Sequence, residues 1–461
     1  MLSQPFINGP ELIGCYPNSE WIYSIPVVAK GKKKFSSTNL PGKLQLDTAN
    51  GIIRGVAPEA GRYLIPISVS DDFGSAVDTL TLICGNKLAL TPPMGWNSWN
   101  VFAHEVNEKI IIEMADAMIA SGMKDAGYQY INIDDFWQAA QRATDGTPLA
   151  NPEKFPNGIK YLADYLHSKG LKLGLYSCAG KYTCGKRFGS FGYEEIDAKT
   201  YAAWGVDLLK YDYCYAPWAR KKAIKRYRAM AEALQKTGRS IVFSVCEWGL
   251  RKPWKWASEI GGHYWRTTPD IFDKWKGNHI WRYSMMQILR KQRGLERYAR
   301  PGGWNDPDML LVGNYGKGIA TSAKGRYKGM TDTEYESHFA IWCMLSAPLL
   351  ASCDLRNMNE ATRKILLNTK LISINQDVAG NQAVCISRKK GIWIYRKPLS
   401  KGIAYAFLNT RGSKKYFTIP YPIQKEINAQ TEKILNAEQI QNITKPLALE
   451  GHQTMVIIAH P

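Results

Sequence analysis

The chain has 461 residues, and its 60 Lys and Arg against 40 Asp and Glu give a net charge of +20. No apolar run reaches the ~18 residues of a transmembrane helix, and nine cysteines are too few for a disulfide scaffold at this length. The positive balance favours an anionic partner, but no helix-turn-helix, zinc-finger or RNA-binding signature accompanies it, which sets nucleic acid aside; with no CxxC pair and no His pair at ligand spacing, neither a metal nor a cofactor is expected.

Residues 1–87 read as a separate unit. Leu44–Leu46, Tyr63–Val69 and Val77–Leu82 alternate or run apolar, with turn signals at Asn50-Gly51, Gly61 and Asp71–Gly74. Short strands at this spacing predict a β-sandwich. No cluster of reactive side chains falls in it, so a packing or spacer role is expected.

From 88 to 377 the pattern changes to strand-like runs alternating with amphipathic helices. Helices are predicted over Lys109–Ser121, Ile159–Lys169 and Tyr227–Lys236, with Gly122, Gly170 and Gly238 as stops. The strand candidates are Pro93–Trp99, Tyr128–Ile133, Leu171–Tyr176, Val206–Leu209, Ile241–Val245, His263–Trp265, Gly302–Trp304 and Ala347–Ser352. These β and α units in alternation predict an α/β fold, a (β/α)8 TIM barrel. An open doubly wound sheet would usually bring a Gly-rich phosphate loop after its first strand, and none is present. From 378 to 461 the helical period is lost. Gly391–Tyr395, Ile403–Leu408, Tyr416–Ile419 and Thr454–Ile458 predict a C-terminal antiparallel β-sandwich.

Polar and aromatic side chains collect at the C-terminal ends of the barrel strands, where barrel enzymes build their sites. GWNSW (95–99) brings two tryptophans, and YINIDDFW (130–137) brings Asp134 and Asp135. GLYSCAG (174–180) offers Tyr176, LLKYDYC (208–214) offers Lys210 and Asp212, and SVCEWG (244–249) offers Cys246, Glu247 and Trp248. YWRTTPDI (264–271) offers Arg266 and Asp270, and GGWNDPDML (302–310) offers Trp304, Asp306 and Asp308. Carboxylates beside flat aromatics suit a sugar, whose hydroxyls need directional acceptors and whose C–H face packs on indole. HExxH, GxSxG and Walker motifs are absent, which argues against zinc proteolysis, serine esterases and nucleotide hydrolysis.

Glycoside hydrolysis needs one carboxylate that attacks and one carboxyl that holds a proton for the leaving oxygen. Lys210 and Asp212, two apart on a strand, share a face. The cation is expected to lower the pKa of Asp212 and keep it charged, as a nucleophile requires. Asp270 follows Pro269 near aromatic residues. Partial burial is expected to raise its pKa and suit it to general acid catalysis.

PMGWNSWN, YINIDDFW, GVDLLKYDYC, WRTTPDI and GGWNDPDML, in this order and spacing, resemble the successive signatures of glycoside hydrolase family 27, the α-galactosidase family. The resemblance runs from about Leu88 to the C-terminus. Residues 1–87 lie outside it and resemble the immunoglobulin-like modules that precede carbohydrate enzymes in bacteria. It implies a retaining exo-glycosidase that releases terminal α-D-galactosyl residues, with Asp212 as nucleophile and Asp270 as acid/base. It implies that Asp134 and Asp135 accept from O6 and O4 of galactose and that Lys210 contacts O3 and O4. Trp96 is implied as an aromatic wall under the sugar, Tyr176 as a neighbour of the anomeric centre, and Arg266 and Asp308 as further pocket residues. Cys246, Glu247 and Trp248 resemble the loop of galactosidases rather than the small residues of N-acetylgalactosaminidases. Cys184 and Cys214 match a family disulfide, while Phe136 stands where the family often has a cysteine. Cys15 and Cys84 are read either as core thiols or as a bridge in the first domain.

The partner is thus expected to be a galactose-containing oligo- or polysaccharide. β-L-Arabinopyranosidase activity and a non-catalytic glycan-binding role are the alternatives. A disulfide at the pocket implies an oxidising compartment, hence a periplasmic or secreted protein, although residues 1–10 show no signal-peptide pattern. Arg251, Lys252, Lys255, Trp254 and Trp256 follow the fifth strand, and an anionic, sulfated leaving group is expected to meet them.

Overall fold

In the computed structural model, which describes residues 4–278, 280–320, 328–427, 430–438, 440 and 445–460, the central apolar runs form eight parallel strands. They are β1 (Met94–Asn97), β2 (Tyr130–Ile133), β3 (Lys172–Cys178), β4 (Leu208–Asp212), β5 (Val242–Val245), β6 (Tyr264–Arg266), β7 (Trp304–Asp306) and β8 (Leu349–Ala351). Their order is β7-β6-β5-β4-β3-β2-β1-β8. Leu310, just past β7, bridges to Ala351 of β8, and its amide donates to the Leu350 carbonyl at 2.9 Å, which closes the ring.

Period-two alternation explains why these runs make a barrel. On β4, Leu209 and Tyr211 join the same apolar cluster as Ala223, Tyr227 and Met230 of the helix Arg220–Lys236. Leu208 instead joins Val242, Tyr264, Trp304 and Leu88 in a plug at the floor of the lumen. Lys210 and Asp212, in phase with Leu208, therefore look inward. Helices Glu108–Ala120 and Gly158–Ser168 cover neighbouring strands with their buried faces. After β5 the expected helix is missing. Two 3-10 turns, Pro253–Lys255 and Ala257–Ile260, span that gap.

The first domain is built on two main sheets, with a short two-stranded pairing of Phe6–Ile7 and Val27–Val28 beside them. One holds four strands, with Gly61–Asp71 paired to Gly74–Cys84 at its centre, and the other holds three. Cys15 and Cys84 lie opposite one another in register, both as buried thiols, with their Sγ atoms 3.2 Å apart. The domain covers the end of the barrel where the strands begin. Ser24 Oγ donates to the Gly170 carbonyl at 2.7 Å, Lys33 pairs with Asp125 at 2.7 Å, and the Tyr16 amide donates to Ser240 Oγ at 2.8 Å. Gly170 ends a helix at φ +72°, and a Cβ there would lie 2.1 Å from Ser24 Oγ, so both the turn and the interface require glycine.

The last domain is a five-stranded antiparallel sheet backed by a two-stranded one. It docks on helix Asp332–Met344, where Ser337 Oγ donates to the His452 carbonyl at 2.6 Å and the His452 ring stacks on Trp275. No helix among the described residues is long and apolar enough to cross a membrane.

Candidate active site

The inward phase of β4 carries Asp212 to the mouth of the barrel. There it borders a cavity shared with Asp134, Asp135, Tyr176, Lys210, Cys246, Trp248 and Asp270. Tyr176 pairs with Lys210 in the sheet register, and its hydroxyl donates to Asp212 Oδ2 at 2.9 Å. Asp212 Oδ1 is buried with no hydrogen-bond partner. Burial raises the Asp212 pKa to about 6, and the nearby Asp270 charge adds to this; Lys210, Cys246 and Tyr176 oppose it. The lowering expected from Lys210 therefore does not prevail. Its ammonium makes its ion pair with Asp134 Oδ2, at 2.7 Å, and desolvation decides the sign at Asp212.

The acidic pair after β2 is buried and fixed. Asp134 Oδ2 also accepts from Asn97 Nδ2 at 2.9 Å, and the Asp134 amide donates to Ser98 Oγ at 3.0 Å. Asp135 Oδ2 accepts from the Gly185 amide at 2.6 Å and Oδ1 from the Phe136 amide at 2.8 Å. Burial raises the Asp135 pKa against these bonds.

Asp270 is the open member of the site, its side chain 42% exposed, so the burial expected there falls on Asp212 instead. Arg266 holds it, with Nη2 3.1 Å from Asp270 Oδ1 and Nη1 3.0 Å from Asp308 Oδ1. Asp308 Oδ2 accepts from the Ile271 amide at 2.7 Å, tying down the backbone beside Asp270. Burial raises the Asp308 pKa to about 7 despite Arg266. Arg266 and Asp308 border a smaller space inside the lumen with Lys210 and Asp306, so they support Asp270 from beneath rather than line the mouth.

The loop after β3 is joined to the end of β4 by the disulfide Cys184–Cys214, with Cα atoms 5.2 Å apart. Cys184 Sγ lies 3.6 Å from Asp212 Oδ2. Among the described residues, Cys184, Asp212 and Cys214 form a group of possible metal ligands, but the two sulfurs are bonded to each other. Phe136, Tyr215 and Trp248 near this rim, and Asp308 beneath it, adopt positive φ without being glycine, the local strain typical of a functional site.

The profile of the family described as alpha galactosidase A (melibiase) matches residues 91–377. The chain belongs to this family. It is 49% identical over 328 residues to alpha-galactosidase A of Cellvibrio japonicus, covering 70% of this chain and 77% of the relative. It is 41% identical over 340 residues to alpha-galactosidase A of Homo sapiens, covering 70% and 74%. A Bacteroides fragilis crystal structure described as a candidate alpha-galactosidase superposes with a TM-score of 0.93 at 45% identity, covering 99% of this chain and 98% of that one. Alpha-galactosidase I of Mortierella vinacea superposes with a TM-score of 0.74 at 35% identity, covering 82% and 100%.

Within this member of the α-galactosidase A family, some expected contacts fall elsewhere. Trp96 is fully buried, with Nε1 donating to the Cys353 carbonyl at 2.7 Å, and does not border the cavity. Trp99 does, stacked on Phe136 with centroids 6.3 Å apart. Asn97 looks into the lumen, so Trp96, one residue out of phase, packs outward, while Trp99, two residues on, follows Asn97 to the mouth as the strand gives way to a helical turn. Glu247 is also fully buried and pairs with Arg251, whose amide donates to it at 2.7 Å and whose Nη1 lies 3.1 Å from Oε2. Burial raises the Glu247 pKa to about 7 against this pairing. Arg251 and Trp256 are buried with it, leaving Lys252 and Lys255 as the exposed cations of that loop. Pro269, Cys184 and Trp281 complete the lining. Trp281 lies in no motif, and no signal in the sequence points to it.

Proposed function

We propose that this protein is an exo-acting α-galactosidase that releases terminal α-D-galactosyl residues from oligo- or polysaccharides with retention of configuration. The observation that carries the reading is that Asp212 and Asp270 border one cavity at the strand C-termini together with the fixed pair Asp134 and Asp135. Asp134 and Asp135 present oxygens to galactose O6 and O4, and Lys210, bound to Asp134, reaches O3 and O4. Asp212 attacks the anomeric carbon as Asp270 passes a proton to the leaving oxygen. A galactosyl ester on Asp212 results. Asp270, open to solvent, then takes a proton from the water that hydrolyses the ester. Cys246 and Trp248 close the site near O2 and exclude an acetamido group. Trp99 serves as the aromatic wall.

β-L-Arabinopyranosidase activity is the second reading, since that sugar is galactose without C6. The lysine and asparagine spent on fixing Asp134 favour a substrate that has O6. Burial of Arg251 weakens the case for a sulfated leaving group, and a neutral saccharide is the reading kept. The disulfide supports a periplasmic or secreted location. We divide the chain as 1–87, 88–377 and 378–461, the first part being an immunoglobulin-like module of the bacterial type. The separate apolar core built from residues between Cys15 and Cys84 supports the first boundary.

Rates on a chromogenic α-galactoside and a β-L-arabinopyranoside, with Asp212→Ala as control, test the reading. The α-galactoside is expected to be preferred, and Asp212→Ala to abolish turnover. Preference for the arabinoside, or turnover that survives the substitution, would overturn it.

A further inference from the structure

The cavity accounts for one sugar. Beside it lies an aromatic surface that takes no part in the proposed galactosyl transfer. Tyr182 is 55% exposed, Tyr215 is 59% exposed and Trp218 is 69% exposed. Large apolar side chains grouped on a surface mark a binding face.

These three side chains are tied to the cavity and held in place. Tyr182 and Tyr215 flank the two halves of the Cys184–Cys214 disulfide, and Cys184 is part of the cavity wall. Their rings meet edge to face, with centroids 6.4 Å apart and planes at 89°. Tyr215 sits at φ +50°, a conformation a tyrosine adopts only where its surroundings impose it. Trp218 rests on Arg251, a buried residue. Arg251 Nε donates to the Trp218 carbonyl at 2.8 Å, and its guanidinium lies 4.6 Å from the indole centroid and 4.5 Å from the Tyr213 ring. Glu247 also holds that guanidinium, at 3.1 Å. The indole is thus supported on one face and bare on the other. A rigid, half-stacked indole beside a sugar cavity matches the C–H face of a further pyranose, and pre-ordering removes the entropic cost of arranging it on binding.

We propose that Tyr182, Tyr215 and Trp218 form the binding platform for the leaving-group saccharide. The protein would then act on galactosyl units carried by neutral oligosaccharides of two or more further sugars. The inference rests on the α-galactosidase reading. It also gives the Glu247–Arg251 pair a positioning task, which is to support Trp218.

The test compares α-galactosyl fluoride, which has no leaving-group sugar, with stachyose and an α-galactosylated manno-oligosaccharide. Trp218→Ala and Tyr215→Ala are expected to lower kcat/KM on at least one oligosaccharide about tenfold, mainly through KM, and to leave the fluoride within about twofold. Trp218→Phe is expected to recover most of the loss. Equal effects on fluoride and oligosaccharides, or no effect on either, would overturn the platform while leaving the galactosidase intact. A wild-type protein inactive on the fluoride and on both oligosaccharides would remove the galactosidase reading and the platform with it. A concentration-dependent dimer in sedimentation velocity that Trp218→Ala dissociates would show a second copy on these rings, which also overturns the platform.

Discussion

Asp212 combines two demands that oppose each other. As the proposed nucleophile it must be charged to attack, yet it is buried with one oxygen unpartnered, and its pKa rises to about 6. The acid limb of kcat/KM is therefore expected near pH 6, with activity falling below it as Asp212 takes up a proton. Lys210→Met removes the cation that opposes the rise, so the limb is expected to move to higher pH. The same substitution strands Asp134 as an unpaired buried carboxylate and is expected to cost about 3–5 kcal/mol of stability, read by denaturant titration. The strain at Asp212 has its own sign. The folded-state pKa lies above the ordinary 3.8, so the folded protein holds this proton more tightly. Stability is then lost as pH rises from about 4 to about 6, and the penalty is full above that. Asp212→Asn is expected to raise Tm at pH 7, by up to about 3 kcal/mol in stability, with the gain vanishing below pH 4. An equal gain at both pH values would contradict this linkage.

At the scale of elements, β4 and the loop after β3 act as one unit joined by Cys184–Cys214, which closes a 30-residue span. Chain entropy predicts a loss of about 3–4 kcal/mol on opening it. Because Gly185 carries the amide that holds Asp135, Cys214→Ser is also expected to raise KM for a chromogenic α-galactoside more than it lowers kcat. The alternation of β4 made Lys210 and Asp212 legible before any coordinates, because a period of two fixes the face of every residue on a strand. At β1 the same period sets Trp96, the wall implied by the family resemblance, out of phase with the inward Asn97 and leaves the cavity to Trp99. It was silent on Glu247 and Arg251, where the four-residue spacing of opposite charges was the available signal and burial made them partners. Trp281 comes from a long connection whose path no local pattern fixes.

For the molecule as a whole, chemistry and anchoring occupy opposite ends of the barrel. The first domain and the Leu88 plug sit where the strands begin, and the carboxylates sit where they end. Leu88→Ala is expected to destabilise the protein by about 2–4 kcal/mol in chemical denaturation and to leave kcat/KM unchanged. The barrel itself could be read from the sequence because its eight units repeat one rhythm. The end the first domain covers could not, since that depends on contacts between segments far apart in the chain. The proposed mechanism has a pair of carboxylates working from one cavity on one anomeric carbon. Proton NMR of the first turnovers on an α-galactoside, before the released sugar mutarotates, tests this most directly. The double displacement through Asp212 requires α-galactose as the first-formed product. The β anomer appearing first would mean that water, and not Asp212, attacks the sugar.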